Sequence, residues 1–245
     1  MLSSKEKLVV AILSVLVMAG LASLVTPADA GIIYYDTFTA ADYSKLNGHT
    51  PNITTNGASW LGTGDILGGW ARDGVAGQSA YLPFTPASDT VYTLSAVLKA
   101  PGTATNQWIA CGFSTTPDLA SQGVAWFTVT TLGKALARPG GPTFDIEVGS
   151  THTYTMTLDT TNATTWTANW YFDQEAAPYY TKTYTASTTT ISYLTLYWMR
   201  PQSGWAIGCD TLTLSSSPVP EPTALVFLGL GGLLLAGGRA RQRRP

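Results

Sequence analysis

Between Gly31 and Ser217 the chain repeats one pattern: short runs rich in Val, Thr, Tyr and Trp, interrupted by Gly, Pro, Asn and Asp at about ten-residue intervals. THTYTMTLDTT is the clearest run, with His152, Tyr154, Met156 and Leu158 alternating with Thr151, Thr153, Thr155, Thr157 and Asp159. Period-two alternation places an apolar row on one face of a strand and threonines on the other. Tyr92, Leu94, Ala96 and Leu98 share a face in the same way, as do Trp166, Ala168, Trp170 and Phe172. Further strands are predicted in IIYYDTF, SAYLPF, QWIACGFS, GVAWFTVTTL, TFDIEV, ISYLTLYWM and WAIGCDTLTLS, and no stretch of this region has a helical period. About ten strands with one-sided burial predict an all-β fold of two antiparallel sheets packed face to face, most economically a jelly-roll β-sandwich.

Both ends break the pattern, which predicts a signal peptide over 1–30, a sandwich over 31–217 and a separate tail over 218–245. MLSSKEK, then LVVAILSVLVMAGLASLV, then TPADA has the layout of a secretory signal, with small residues at Ala28 and Ala30 predicting cleavage after Ala30. The apolar run from Leu8 to Val25 approaches the length of a spanning helix, so an uncleaved anchor is the alternative. In the tail, Pro220, Glu221 and Pro222 precede a short apolar stretch and the arginines Arg239, Arg241, Arg243 and Arg244. The two prolines remove backbone donors and fix φ, so this step stays extended, the form a protease cleft binds. Ala224 to Ala236 falls short of the roughly 20 residues a spanning helix prefers and is weakened by Gly229, Gly231 and Gly232. It predicts a short transmembrane helix with a provisional hold on the bilayer. The arginines place the tail's end on the cytoplasmic side and the body across the inner membrane. A permanent tail anchor explains the apolar run and the arginines but leaves the Pro-Glu-Pro step without a role.

Composition supports a folded body: 45% of residues are hydrophobic and only 11% charged, with eight Trp and twelve Tyr. The net charge of −2 averages basic ends over a clearly acidic middle. Such a body lacks the basic stripe that nucleic acid requires, so no nucleic-acid partner is expected. Cys111 and Cys209 lie in predicted strands far apart in the chain. In an oxidising compartment they could pair, closing a loop of roughly 100 residues and contributing about 4–5 kcal/mol in the loop-entropy model. The alternative is two buried free thiols acting as small hydrophobes.

Catalytic patterns are largely missing. His49 and His152 are the only histidines, and His152 falls on the apolar face of its strand, where packing is the simpler role. HExxH, GxSxG, a P-loop and zinc-spaced cysteines do not occur, and no cofactor is expected. No loop resembles D-x-D-x-D-G, which leaves calcium open. Asp145 and Glu147 share a face of TFDIEV at a spacing that a retaining glycosidase pair could use, although a solvated outer face accounts for them more simply. In ISYLTLYWM, Tyr193 and Tyr197 oppose Leu194, Leu196 and Trp198. Outward tyrosines would suit a sugar's apolar face, predicting glycan contact at Tyr193 and Tyr197; the alternative has them under a loop.

Two resemblances add to this reading. DTFTAADYSKLNGHTPNITTNGASW, WIACGF, YTMTLDTTNATTWTANW and CDTLTLS resemble the concanavalin A-like or laminin G-like sandwiches of bacterial exported proteins. Glycosidases on that sandwich carry E-x-D-x-x-E, a motif that includes neither Glu147 nor Glu175 here. The tail resembles a PEP-CTERM sorting signal, which implies an exosortase that reads Pro220, Glu221 and Pro222. Passage through the secretion translocon, signal peptidase and the inner membrane is then implied, with the envelope or exopolysaccharide of a Gram-negative bacterium as destination. The expectation is an exported surface or matrix protein with a structural or glycan-contacting sandwich. The alternatives are an unprocessed tail-anchored periplasmic domain and a divergent glycoside hydrolase.

Overall fold

The computed structural model describes residues 31–72, 77–99, 107–199 and 207–218. The predicted signal segment with Ala28 and Ala30, the Pro-Glu-Pro step and the arginine tail lie outside them. Among the described residues no helix is long and apolar enough to cross a membrane.

In chain order the strands are β1 (Gly31–Asp36), β2 (Ser44–Lys45), β3 (Ile53–Thr54), β4 (Leu61–Gly62), β5 (Asp65–Leu67), β6 (Trp70–Arg72), β7 (Gln78–Pro83), β8 (Thr90–Lys99) and β9 (Trp108–Ser114). A four-residue helix, α1 (Leu119–Gln122), follows. The chain continues with β10 (Gly123–Thr130), β11 (Lys134–Arg138), β12 (Thr143–Asp145), β13 (Thr151–Asp159), β14 (Thr165–Phe172), β15 (Tyr180–Thr185), β16 (Tyr193–Met199) and β17 (Gly208–Pro218). One sheet runs β15-β14-β13-β8-β17-β6-β5-β2, with β1 pairing β17 and β3, and the other runs β12-β11-β10-β9-β16-β7-β4. Every recorded pair is antiparallel.

The alternation read from β8 and β13 becomes the inner face of the first sheet. Tyr92, Leu94, Ala96 and Leu98 are buried, as are Tyr154, Met156 and Leu158. The second sheet answers with Ile109, Cys111 and Phe113 from β9, Ala125, Phe127 and Val129 from β10, and Leu194, Leu196 and Trp198 from β16. These rows belong to one core, in which Phe127 of one sheet meets Tyr154 of the other at 5.4 Å between ring centres. Polar stitches complete the contact: Trp170 donates Nε1–H to the Trp126 carbonyl at 3.1 Å and Tyr184 its hydroxyl to the Val124 carbonyl at 2.9 Å. Both donors would otherwise be shut away from water without a partner.

The antiparallel all-β expectation holds, and each of the ten predicted runs contains a strand. The reading missed β15, and it missed β11, whose inner positions are Ala135 and Ala137, small residues with weak strand preference. They fit because β11 is paired along its length to β10 and lies against the core. The two- and three-residue strands from β2 to β6 are too short to carry any period.

The disulfide expectation is corrected. Cys111 and Cys209 are both free and buried. They belong to opposite sheets and pack into the one core as small apolar groups, the alternative role. Burial raises the pKa of both thiols, and Cys209 is raised further by Cys111, Asp36 and Asp210 around it.

Candidate functional site

β10 and β11 turn one face inward and the other onto an open groove. Register sets the outer face as three cross-strand pairs, Trp126 with Arg138, Thr128 with Leu136 and Thr130 with Lys134. These residues form the floor of a groove of about 560 Å³, with Trp108, Ala120 and Leu132 among its walls. Thr128 and Thr130 are almost covered, Trp126 is half-buried and Arg138 exposed.

Glycines seat Trp126. Its cross-strand partner on β9 is Gly112. A Cβ at Gly112 would lie 2.3 Å from the Trp126 Cβ and from the Ala125 carbonyl oxygen. At Gly123 a Cβ would lie 2.4 Å from Cε3 of the indole itself. Neither position accommodates a side chain while Trp126 keeps its place. The indole is further supported by a small apolar cluster on the outer face, in which Leu119 of α1 packs with Ala110 and Tyr197, joined by Trp108 and Met199.

This cluster corrects the prediction for Tyr197. Tyr193 and Tyr197 do stand opposite Leu194, Leu196 and Trp198, but Tyr197 is only 6% exposed. Trp108 stacks on it at 5.2 Å and Leu119 packs against it, so it has no face to offer a sugar. Burial, and then Asp118, raises its pKa. The Tyr193 ring is half-buried and meets Tyr81 edge-on at 5.2 Å. Outward direction was legible from the strand period; the covering helix was not.

Asp145 and Glu147 do not form a carboxylate pair on one strand face. β12 ends at Asp145, which is ion-paired to Lys134, and Glu147 begins the turn that leads to Ser150. His152 is half-buried against Phe172, with ring centres 4.7 Å apart. Its Nδ1 lies 2.7 Å from Asp173 Oδ2 and its Nε2 contacts Ser150 Oγ. This is the residue order of a hydrolase triad, but the Ser150 hydroxyl donates to the Glu147 carbonyl. Its proton is thereby directed at a backbone carbonyl and not at the imidazole, which is not the arrangement of a nucleophile handing over its proton. The chain of bonds instead secures the exit from β14, where Asp173 and Gln174 have positive φ and Asp173 Oδ1 accepts from the Thr153 amide at 2.9 Å.

The second polar cluster is interior. Asp36 is fully buried and accepts from the Phe38 amide at 2.8 Å, from Trp60 Nε1 at 2.7 Å and from His49 Nε2 at 3.1 Å. Phe38 has φ 51°, a strained value for a bulky residue, and is held there by that bond and by its contact with Trp60. The carboxylate thus organises the long segment from β1 to Trp60. Among the described residues no three His, Cys, Asp or Glu side chains are grouped to hold a metal ion.

No family model and no curated protein matches the chain. Solved structures resemble it at low identity. Trypanosoma rangeli sialidase in complex with sialic acid is 9% identical over 81% of this chain and 32% of that one, with a TM-score of 0.50. The CBM2 module of the evolved Dit of Lactobacillus casei BL23 phage J-1 is 11% identical over 78% and 97% of the two chains, at TM-score 0.45. The metal-free exoplasmic/lumenal domain of VIP36 is 8% identical over 72% and 92%, at TM-score 0.44. At that identity the likeness to the sialidase is one of fold alone.

Proposed function

We propose that this protein is an exported envelope or matrix component whose sandwich contacts glycan through the groove over β10 and β11. The observation that carries this reading is Trp126, half-buried, held by the glycines at 112 and 123, and lining the groove with the exposed side chains of Lys134 and Arg138. A pyranose has a flat apolar face and a polar rim, and an indole next to exposed hydrogen-bond donors is complementary to both. The groove takes the place of Tyr193 and Tyr197 as the contact surface.

Delivery to that place rests on the two ends of the sequence. The leader would direct translocation and cleavage by signal peptidase. Pro220, Glu221 and Pro222 would be read by an exosortase while the apolar stretch and arginines hold the tail in the inner membrane. No catalysis is assigned to the groove: among the described residues its lining includes no carboxylate, whereas most glycoside hydrolases use a pair.

The test is co-sedimentation of the protein with polysaccharide extracted from its host's envelope. Trp126→Ala should reduce the bound fraction about tenfold with the protein still folded, a loss of the size expected for one central aromatic contact. Equal retention of the variant would remove the groove from the account. Intact mass of the protein from its host tests delivery: a chain running from Gly31 to the Pro-Glu-Pro step supports sorting, and a tail persisting to Pro245 supports permanent anchoring instead.

A further inference from the structure

The groove has a charge that the rest of the body does not. Among the described residues eleven aspartates and glutamates outnumber six lysines and arginines. Two of those six cations, Lys134 and Arg138, line the groove. Most cations have an assignment within the protein. Lys45 pairs with Asp65, Lys134 with Asp145, and Lys182 donates to the Pro139 carbonyl at 3.2 Å. Arg72 and Lys99 lie over the Trp70 ring at 5.8 and 6.0 Å. Arg138 is exposed, and among the described residues it makes no recorded ion pair, hydrogen bond or ring contact.

Its position is set by register. Arg138 is directly opposite Trp126 across the β10–β11 pair, so their Cβ atoms are about 4.5–5.5 Å apart on the same outer face. A sugar lying on the indole would bring its ring substituents within reach of the guanidinium. Neutral hydroxyls would gain one ordinary hydrogen bond there. A carboxylate can accept two parallel N–H bonds from the guanidinium fork, stronger and geometrically more selective.

We infer that the groove selects acidic glycans, with the carboxylate of a uronic-acid residue on Arg138 and its ring on Trp126. This inference rests on the glycan reading of the groove and adds the class of sugar. It also gives the exposed guanidinium a role that strand formation does not require. Lys134, already paired with Asp145, contributes less.

The test is affinity electrophoresis of the full chain, in mild detergent, through gels cast with alginate or polygalacturonate, or with the methyl ester of each. Esterification keeps the sugar ring and removes the charge. The acid polymers should retard the protein and the esters should not, and added salt should weaken the retardation because exposed charges are screened. Arg138→Ala should weaken binding to the acid polymers about tenfold, in line with loss of a charged hydrogen-bonding group. Arg138→Lys should recover only part of it, since lysine keeps the charge without the fork. If acid and ester retard the protein equally and Arg138→Ala matches wild type while Trp126→Ala does not bind, acidic selection is overturned and the glycan reading stands. If Trp126→Ala is retarded like wild type, the glycan reading falls with it. If none of the four polymers retards the protein, acidic selection is overturned and retention on the host's own polysaccharide decides the broader reading.

Discussion

Trp60 and Trp126 are placed by opposite means. Trp60 is fully buried and its indole N–H is bound by the buried Asp36 carboxylate; Trp126 is half-buried, with bare backbone at Gly112 and Gly123 beneath it. An interior indole must find a polar partner, because an unsatisfied N–H away from water costs about 1–3 kcal/mol. A groove indole needs support from below and space above, and the glycines supply the support. The difference separates a residue whose surroundings exist to bury it from one whose surroundings exist to present it.

Breaking the interior side should have the largest effect. Asp36→Ala strands three donors in a dry site and should cost about 3–5 kcal/mol, the range for removing one partner of a buried charged network. Denaturant unfolding of wild type and variant measures it, and a loss below about 1 kcal/mol would show that the corner does not depend on its carboxylate. Gly112→Ala comes next: the added methyl meets Ala125 and Trp126 at 2.3 Å, so overpacking should cost about 1–3 kcal/mol and shift the indole. Near-ultraviolet circular dichroism together with unfolding would detect both consequences. Trp126→Ala should change stability by about 1 kcal/mol, since the ring is only half-buried, while reducing polysaccharide retention about tenfold. A variant that unfolds like Asp36→Ala would place Trp126 with the core residues.

The smallest effect concerns the thiols. Native Cys111 and Cys209 should resist a disulfide reagent at pH 8 and react only on unfolding, because both are buried and burial pushes their pKa values well above that of a free thiol. The folded state holds these protons more tightly than the unfolded chain does. The corresponding stability is therefore fully present below pH 9 and is lost as pH rises through the higher folded values. Rapid labelling of the native protein would contradict the free, buried assignment.

The strand-by-strand pattern was legible because period-two alternation survives wherever one face is buried, as in β8 and β13. It also placed Tyr193 and Tyr197 correctly on the outer face of β16. What the pattern could not carry was the cover: α1 is four residues long and shows no period, yet its Leu119 closes over Tyr197. The groove was missed for a related reason. Trp126 and Arg138 are separated in sequence by a hairpin whose second strand is built on alanines, so their pairing becomes visible only with the register of β11. A glycine directly across from a tryptophan was the available signal, and it depends on register too. The buried Asp36 was likewise hidden: the sequence stretch from Asp36 to Trp60 suggested a family likeness, while the hydrogen bonds joining its two ends required coordinates.

The most direct test of the central claim is hydroxyl-radical footprinting of the full chain, read by mass spectrometry at each tryptophan with and without the host's polysaccharide. The account predicts that Trp126 is oxidised in the free protein and protected by polysaccharide, while Trp60 stays unmodified in both samples. Equal oxidation of Trp126 in the two samples, at a polysaccharide concentration that retains the protein, would place the contact elsewhere on the sandwich and contradict the assignment of the groove.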